Sequence, residues 1–172
     1  MFRIPRPVRE PSRRAVASRR RSMVRFKNRY LVLEVAREDA RALEESGKER
    51  AVLDALLDAT RDCFGDVGAG TQLRALSVRY VDALTGVCVV RCAREGGRAV
   101  RAACAATREV GGRRCACAVT HCGGTTASAV AACERRIGVV LDALVASGRV
   151  RAEEREGLME ARRRVLTTAV SR

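Results

Sequence analysis

The sequence predicts an α/β (α+β) sandwich: a four-stranded antiparallel sheet packed on helices, with extra C-terminal helices. Three observations carry this reading. Short β-branched runs alternate with helical apolar stripes in the order strand, helix, strand, strand, helix, strand. Only a short turn parts the two middle strands, so they form a hairpin. Hydrophobic residues make up 47% of the 172, enough for one domain with a core.

Tyr30-Leu-Val-Leu-Glu-Val35 is β-branched and apolar, the mark of a strand. The segment from Arg37 to Lys48 is charged and helix-prone. Glu49 to Phe64 is a helix with Val52, Leu53, Leu56, Leu57, Thr60 and Phe64 on one stripe; Gly65 stops it and 66–70 form a loop. Leu73 to Val81 alternates, with Leu76, Val78 and Tyr80 on one face and Ser77 and Arg79 on the other. Residues 82–86 turn the chain into a second strand, Val87 to Cys92, in which Cys88, Val90 and Cys92 oppose Arg91. Arg79 and Arg91 then share a sheet face.

Glu95 to Val110 is a helix with Val100, Cys104 and Thr107 inward and Arg94, Arg98, Arg101 and Arg108 outward; Gly111-Gly112 stops it. Arg113 to Thr120 is the fourth strand. Thr125 to Leu144 is a helix, with Ala129, Val130, Cys133, Ile137, Val140, Leu141 and Leu144 as its stripe and Ser147-Gly148 as its end. Arg151 to Val170 is the last helix, acidic at its start and basic at its end, as the helix macrodipole favours. The first six elements give the split βαββαβ order of ferredoxin-like and RNA-recognition folds. If the C-terminal helices cover the open sheet face, binding of RNA on that face is excluded. The expected organisation is an arm at 1–22, a domain at 23–146 and a C-terminal helix at 147–172.

The chain carries 34 Lys+Arg against 20 Asp+Glu, a net charge of +14, which implies a polyanionic partner. Lys27 and Lys48 are the only lysines, and arginine suits bidentate phosphate contacts. Aromatic residues are 3%, which disfavours a reader of stacked single strands and favours recognition of shape and phosphate. No apolar run approaches the roughly 20 residues that cross a bilayer, so no membrane partner is expected. Residues 1–22 hold all three prolines and eight arginines against one acid, Glu10, and so half the net charge. This is a disordered basic arm, an organelle transit peptide, or an extension ahead of a start at Met23; the sequence leaves all three open.

Three sites have chemical content. Arg25, Lys27 and Arg29, beside Tyr30, alternate through a strand entrance and can meet successive phosphates. Their parity matches Leu31 and Leu33, so the strand begins later or a bulge intervenes. The hairpin brings Arg79, Thr85, Gly86 and Arg91 together; its arginines either meet RNA or pair with acids such as Asp82 and Glu34. In His121-Cys-Gly-Gly-Thr125 a strand runs through Gly123 and Gly124 into a helix capped by Thr125, an arrangement that can hold an anion. Eight cysteines with no secretory pattern are mainly small core residues. Cys115, Cys117, His121 and Cys122 are the alternative, a metal- or thiol-dependent enzyme, although the two spaced pairs of a zinc ribbon are lacking. No P-loop or paired acidic motif occurs, so no catalytic residue and no bound metal is assigned.

Met23-Val-Arg-Phe-Lys-Asn-Arg-Tyr-Leu31, the hairpin from Val78 to Cys92 and His121-Cys-Gly-Gly-Thr125 resemble the Pop-type small protein subunits of ribonuclease P and ribonuclease MRP, the eukaryotic ones more than the archaeal. The resemblance runs from about Met23 to Leu144. It implies an RNA-recognition-like sandwich and a non-catalytic subunit beside a catalytic RNA. That RNA, with bound magnesium ions (Mg2+), removes the 5′ leader of precursor tRNA; in the MRP particle the substrates include precursor ribosomal RNA. It also implies no cofactor on the protein itself, a TIM-barrel subunit as partner, and a nuclear, largely nucleolar location. Matching positions expected to touch RNA are Lys27, Arg29, Arg79, Arg91, Arg94, Gly123 and Gly124. Two departures stand out: many bulky positions in the second half are alanine or cysteine here, and the Pro-rich arm is unusual.

Overall fold

A computed structural model describes residues 27–39, 42–43, 47–72 and 75–171. The arm at 1–22, the boundary at Met23 and the candidate Arg25 lie outside the described residues. The elements are β1 (Asn28–Arg37), α1 (Lys48–Gln72), β2 (Ser77–Val81), β3 (Val87–Ala93), α2 (Gly97–Ala106), β4 (Glu109–Val110), β5 (Arg113–Gly123), α3 (Thr126–Ala146) and α4 (Glu154–Ser171). The strands form one antiparallel sheet in the order β2-β3-β1-β5-β4. The four long strands keep the split βαββαβ connectivity.

The fifth strand was not expected. The helix expected to reach Val110 stops at Ala106, because Thr107 turns extended (φ −63, ψ 120) while its N–H still caps Ala103 and Cys104. Gly111 and Gly112, both at positive φ (59 and 71), then make the two-residue hairpin turn between β4 and β5 rather than a helix stop.

Both faces of the central strands are covered. Leu31, Leu33, Val35, Cys88 and Val90 pack with Val52 and Leu56 of α1 and Val100 and Cys104 of α2. On the reverse, Val32, Tyr80, Val87 and Val89 pack with Ala129, Cys133, Ile137 and Leu141 of α3 and Leu166 of α4. This explains why the central strands read as unbroken apolar runs: neighbours on either side of the pleat are both buried. The condition set above is met over β2, β3 and β1, whereas Arg114, Ala116, Ala118 and Thr120 of β5 remain exposed.

Two bulges reverse strand faces. Arg79 is the extra residue between Val78, opposite Val90, and Tyr80, opposite Val89. Tyr80 therefore joins the α3/α4 core while Leu76 and Val78 pack on the other side, so the expected common face of these three does not form. In β5 the register shifts between Val32↔His121 and Leu33↔Val119, with Thr120 as the extra residue.

Three further expectations are corrected. Gly65 (φ 68, ψ 177) breaks α1, but helix resumes after it, so 66–70 are not a loop; Phe64 is 42% exposed and leaves the apolar stripe. Arg37 ends β1 and residues 42–43 belong to no helix; the remainder of that segment is described only in part. Helix α4 has Glu154 and Glu156 in its first turn but no base in its last. Its arginines sit mid-helix, where Arg162 Nε meets Asp82 Oδ2 at 2.5 Å and ties α4 to the β2–β3 turn.

Candidate nucleic-acid interface

Antiparallel pairing decides which candidates meet. Asn28 pairs with Ala93, Arg29 with Cys92, and Tyr30 with both Arg91 and Gly123. The start of β1 and the ends of β3 and β5 thus share one end of the sheet. Helices α2 and α3 begin just beyond it. This end gathers Lys27, Arg29, Arg91, Arg94, His121, Gly123, Gly124 and Thr125.

The exposed Lys27 gives its carbonyl to the Arg94 N–H at 2.9 Å, which fixes the lead into β1 against the β3–α2 turn. Arg29 stays on the α2 side of the sheet, as its parity with Leu31 requires. The strand begins at Asn28 and no bulge precedes Val32, so neither expected escape is used. Arg29 instead sits where glycines make room. A Cβ on Gly97 would lie 3.6 Å from Arg29 Cγ, and one on Gly124 would lie 2.9 Å from its Nη1. The guanidinium therefore lies between the first turn of α2 and the β5–α3 turn. Among the described residues, Lys27, Arg29, Arg94 and Arg98 have no acidic partner. Arg91 projects to the other face, where the Asn28 carboxamide oxygen accepts from its Nε at 3.2 Å and Nη2 at 3.0 Å.

The two glycines of the β5–α3 turn have separate reasons. At Gly123 a Cβ would fall 2.3 Å from Ser128 Oγ and 2.9 Å from His121 Nε2, a buried nitrogen with no hydrogen-bond partner. At Gly124 the neighbour is Arg29. Gly124→Ala is expected to leave the thermal midpoint within about 2 °C, because the contact is the far end of a flexible side chain. RNA affinity should fall by roughly 3-fold or more as Arg29 is pushed aside. A filter-binding titration beside a melting curve checks both. Thr125 caps α3: its Oγ1 accepts from Ser128 N at 3.2 Å, and Ser128 Oγ donates to the Thr125 carbonyl at 3.1 Å. Thr125→Ala should cost about 1 kcal/mol in urea unfolding.

Chemically, unpaired guanidiniums and an ammonium beside two helix N-termini suit phosphate oxygens. One carboxylate, Glu95, lies in the same β3–α2 turn as Arg94.

Not every candidate belongs here. Tyr30 packs against the α3/α4 core. Thr85 and Gly86 lie at the opposite end of the sheet and are buried. Thr85 Oγ1 donates to Asp82 Oδ2 at 2.8 Å, and the Gly86 carbonyl accepts from Val35 N of β1 at 3.0 Å, so both are used inside the fold. Arg79 opens toward α4, lining a cavity with Ala161, Arg162 and Val165, and its Nε is buried without a partner. The acids proposed for it are taken, Asp82 by Arg162 and Glu34 by Arg136.

The Cys115, Cys117, His121 and Cys122 set does not converge. Beyond the bulge at Thr120, His121 falls on the Val32 face, whereas Cys115 and Cys117 sit against the α1/α2 core. No group of three or more His, Cys, Asp or Glu suited to a metal occurs among the described residues. Burial pushes the Cys115 thiol up, and takes Cys92 to about 11 and Cys133 to about 12.

Sequence reasoning missed Asn28, Arg98 and the Gly96-Gly97 pair as parts of this end. The signal was present: Gly96-Gly97 leads into α2 as Gly123-Gly124 leads into α3, each followed at once by a helix.

The family model described as the Rpp14/Pop5 family matches residues 29–134, more than half of the chain and all of the sheet but Asn28. Over 94 residues the chain is 33% identical to the probable ribonuclease P/MRP protein subunit POP5 of Arabidopsis thaliana, covering 52% of this chain and 62% of that one. It therefore spans less than two thirds of that relative's length. Over 122 residues it is 31% identical to the ribonuclease P/MRP protein subunit POP5 of Schizosaccharomyces pombe, covering 66% of this chain and 88% of the relative. A chain in a cryo-EM structure of yeast ribonuclease MRP aligns at a TM-score of 0.43 and 13% identity, over 59% of this chain and 76% of that one.

Proposed function

The chain belongs to the Rpp14/Pop5 family, and from that premise we propose that it is a non-catalytic protein subunit that braces the RNA of a ribonuclease P/MRP particle. The observation that carries this reading is the sheet end where Lys27, Arg29, Arg94 and Arg98 have no acidic partner among the described residues. A net charge of +14 draws the chain to RNA, and this end supplies placed cations for its phosphates. The two relatives described above are named as ribonuclease P/MRP protein subunits.

On this reading the particle's RNA, with its magnesium ions, cleaves the 5′ leader of precursor tRNA, and precursor ribosomal RNA in the MRP form. The protein itself holds no cofactor. A TIM-barrel subunit and further subunits complete the particle, which works in the nucleus and nucleolus. No described helix is long and apolar enough to cross a membrane.

Affinity purification of the tagged chain, followed by sequencing of the bound RNA and a precursor-tRNA cleavage assay, tests the proposal. One defined structured RNA and 5′-leader removal are expected. A preparation with neither overturns it. The metal- or thiol-dependent alternative gains nothing from the geometry, since its four residues are divided between two faces.

A further inference from the structure

Strand β5 runs for 11 residues, but on its outer side β4 pairs only with the first two, Arg113 and Arg114. Just beyond them the Cys115 N–H donates to the Arg108 carbonyl at 2.8 Å, and no further strand among the described residues follows that side. Backbone groups alternate in direction along a strand. The N–H and C=O of Cys117 and Val119 therefore point the same way as the Cys115 N–H, into an open edge. The bulge at Thr120 ends this regular stretch.

Three features set this edge apart. Exposed edges are normally blunted by charge or proline, yet Cys115-Ala-Cys-Ala-Val119 carries neither. The core is unfinished here: Cys115, Cys117 and Val119 pack on the α1/α2 core but are only half-buried, whereas Leu31 and Leu33 of β1, flanked by strands on both sides, are fully buried. On the reverse face Ala116 and Ala118 are exposed, and their small side chains leave room for larger neighbours. We propose that the Cys115–Val119 edge is a strand-addition site for an extended segment of a partner protein. The segment runs antiparallel like the rest of the sheet, is uncharged along the edge, and ends in a carboxylate that meets Arg108 and Arg114.

Charge selects this occupant. At the Cys115 end a cavity is lined by Arg37, Arg108 and Arg114 against one acid, Glu38. Arg108 and Arg114 are exposed and have no acidic partner among the described residues. An antiparallel newcomer ends there, which places its carboxylate on the C-terminal side. A second copy of this chain fits poorly. Paired antiparallel, each copy would carry its cationic sheet end toward Arg113 and Arg114 of the other, and each chain has a net charge of +14. Residues 1–22 would bring eight arginines to the same place, and three prolines that lack the N–H a ladder needs. RNA has no alternating N–H and C=O groups to complete a ladder, and it finds no cation between Cys115 and Val119.

The test titrates the purified full chain with two synthetic peptides, Thr-Val-Thr-Val-Thr-Glu-Glu and Thr-Val-Thr-Val-Thr-Lys-Lys, and reads amide hydrogen exchange residue by residue by NMR. In the free chain the Cys117 and Val119 amides should exchange fast. The acidic peptide should slow both and bind about 10-fold or more tightly than the basic one. Arg108→Glu combined with Arg114→Glu should reverse that preference. Fast exchange that the acidic peptide leaves unchanged overturns the proposal, and so does equal binding of the two peptides. Slow exchange in the free chain at every concentration assigns the edge to the chain's own residues and overturns it too. Slowing that grows with chain concentration alone assigns the edge to a second copy, and slowing by transfer RNA without peptide assigns it to RNA; either result overturns the proposal. If the double variant does not fold, the two peptides on the unaltered chain still decide.

Discussion

Gly86→Ala is expected to lower stability by about 3–4 kcal/mol, enough to drop the thermal midpoint by roughly 10 °C. Gly86 sits at φ +69, and a Cβ there would lie 2.4 Å from the Val35 carbonyl oxygen and 3.3 Å from its carbon. These are backbone atoms of the central strand, which cannot step aside. Nor can the turn swing away. The Gly86 carbonyl accepts from Val35 N at 3.0 Å, and the Gly86 N–H donates to the Asp82 carbonyl at 2.9 Å. Asp82 in turn accepts from Thr85 and from Arg162 of α4, so movement of the turn loosens a buried ion pair as well. The control is Gly112→Ala. That residue also has positive φ, 71, but meets nothing within 4 Å, so it carries only the backbone strain, about 1 kcal/mol. Urea unfolding of the two variants separates clash from strain. Equal midpoints for both would show that the hairpin turn is looser than its contacts imply.

The two Gly turns show what a sequence discloses and what it hides. Thr85-Gly86 and Gly123-Gly124 look alike in composition, and both belong to segments expected to meet RNA. Antiparallel connectivity sends one to a buried end of the sheet and the other to the cationic end, and no local pattern carries that information. The strands and helices themselves were legible, because burial on both faces demands unbroken apolar runs such as Val87 to Val90 and regular stripes such as Ile137 with Leu141. The bulges were not. One added residue at Arg79 or Thr120 leaves composition and strand propensity unchanged, yet it turns the strand over beyond that point. That single step moved Tyr80 into the α3/α4 core and parted His121 from Cys115 and Cys117. Likewise, the Ala-rich run before Glu109 has helix propensity throughout, and only the Gly111-Gly112 hairpin shows why the chain leaves the helix at Thr107.

Replacing Lys27, Arg29 and Arg94 together with glutamate is expected to weaken binding of the partner RNA by about 100-fold or more near physiological salt. The slope of log affinity against log salt should flatten by about 2–3, because each cation lost from a phosphate releases roughly one counterion fewer. Folding should change little. Lys27 and Arg94 are exposed, none of the three has an acidic partner among the described residues, and only the stem of Arg29 packs, beside Gly97. Net charge alone could mimic the effect, since the triple change takes +14 to +8, each substitution removing two charges. The same change at the exposed Arg108, Arg135 and Arg151 separates the two causes: it lowers the net charge equally but leaves the sheet end intact. If placement governs, the first triple loses far more affinity than the second at every salt concentration. If both lose equally, the chain holds RNA through its general field, and the arrangement of Arg29 between the two glycine turns has no part in recognition. The comparison matters because the field falls off within a Debye length of about 8 Å at physiological salt, whereas a guanidinium seated against a phosphate is screened far less. Raising the salt should narrow the gap between the two triples, because the variant that keeps its phosphate contacts loses affinity more steeply.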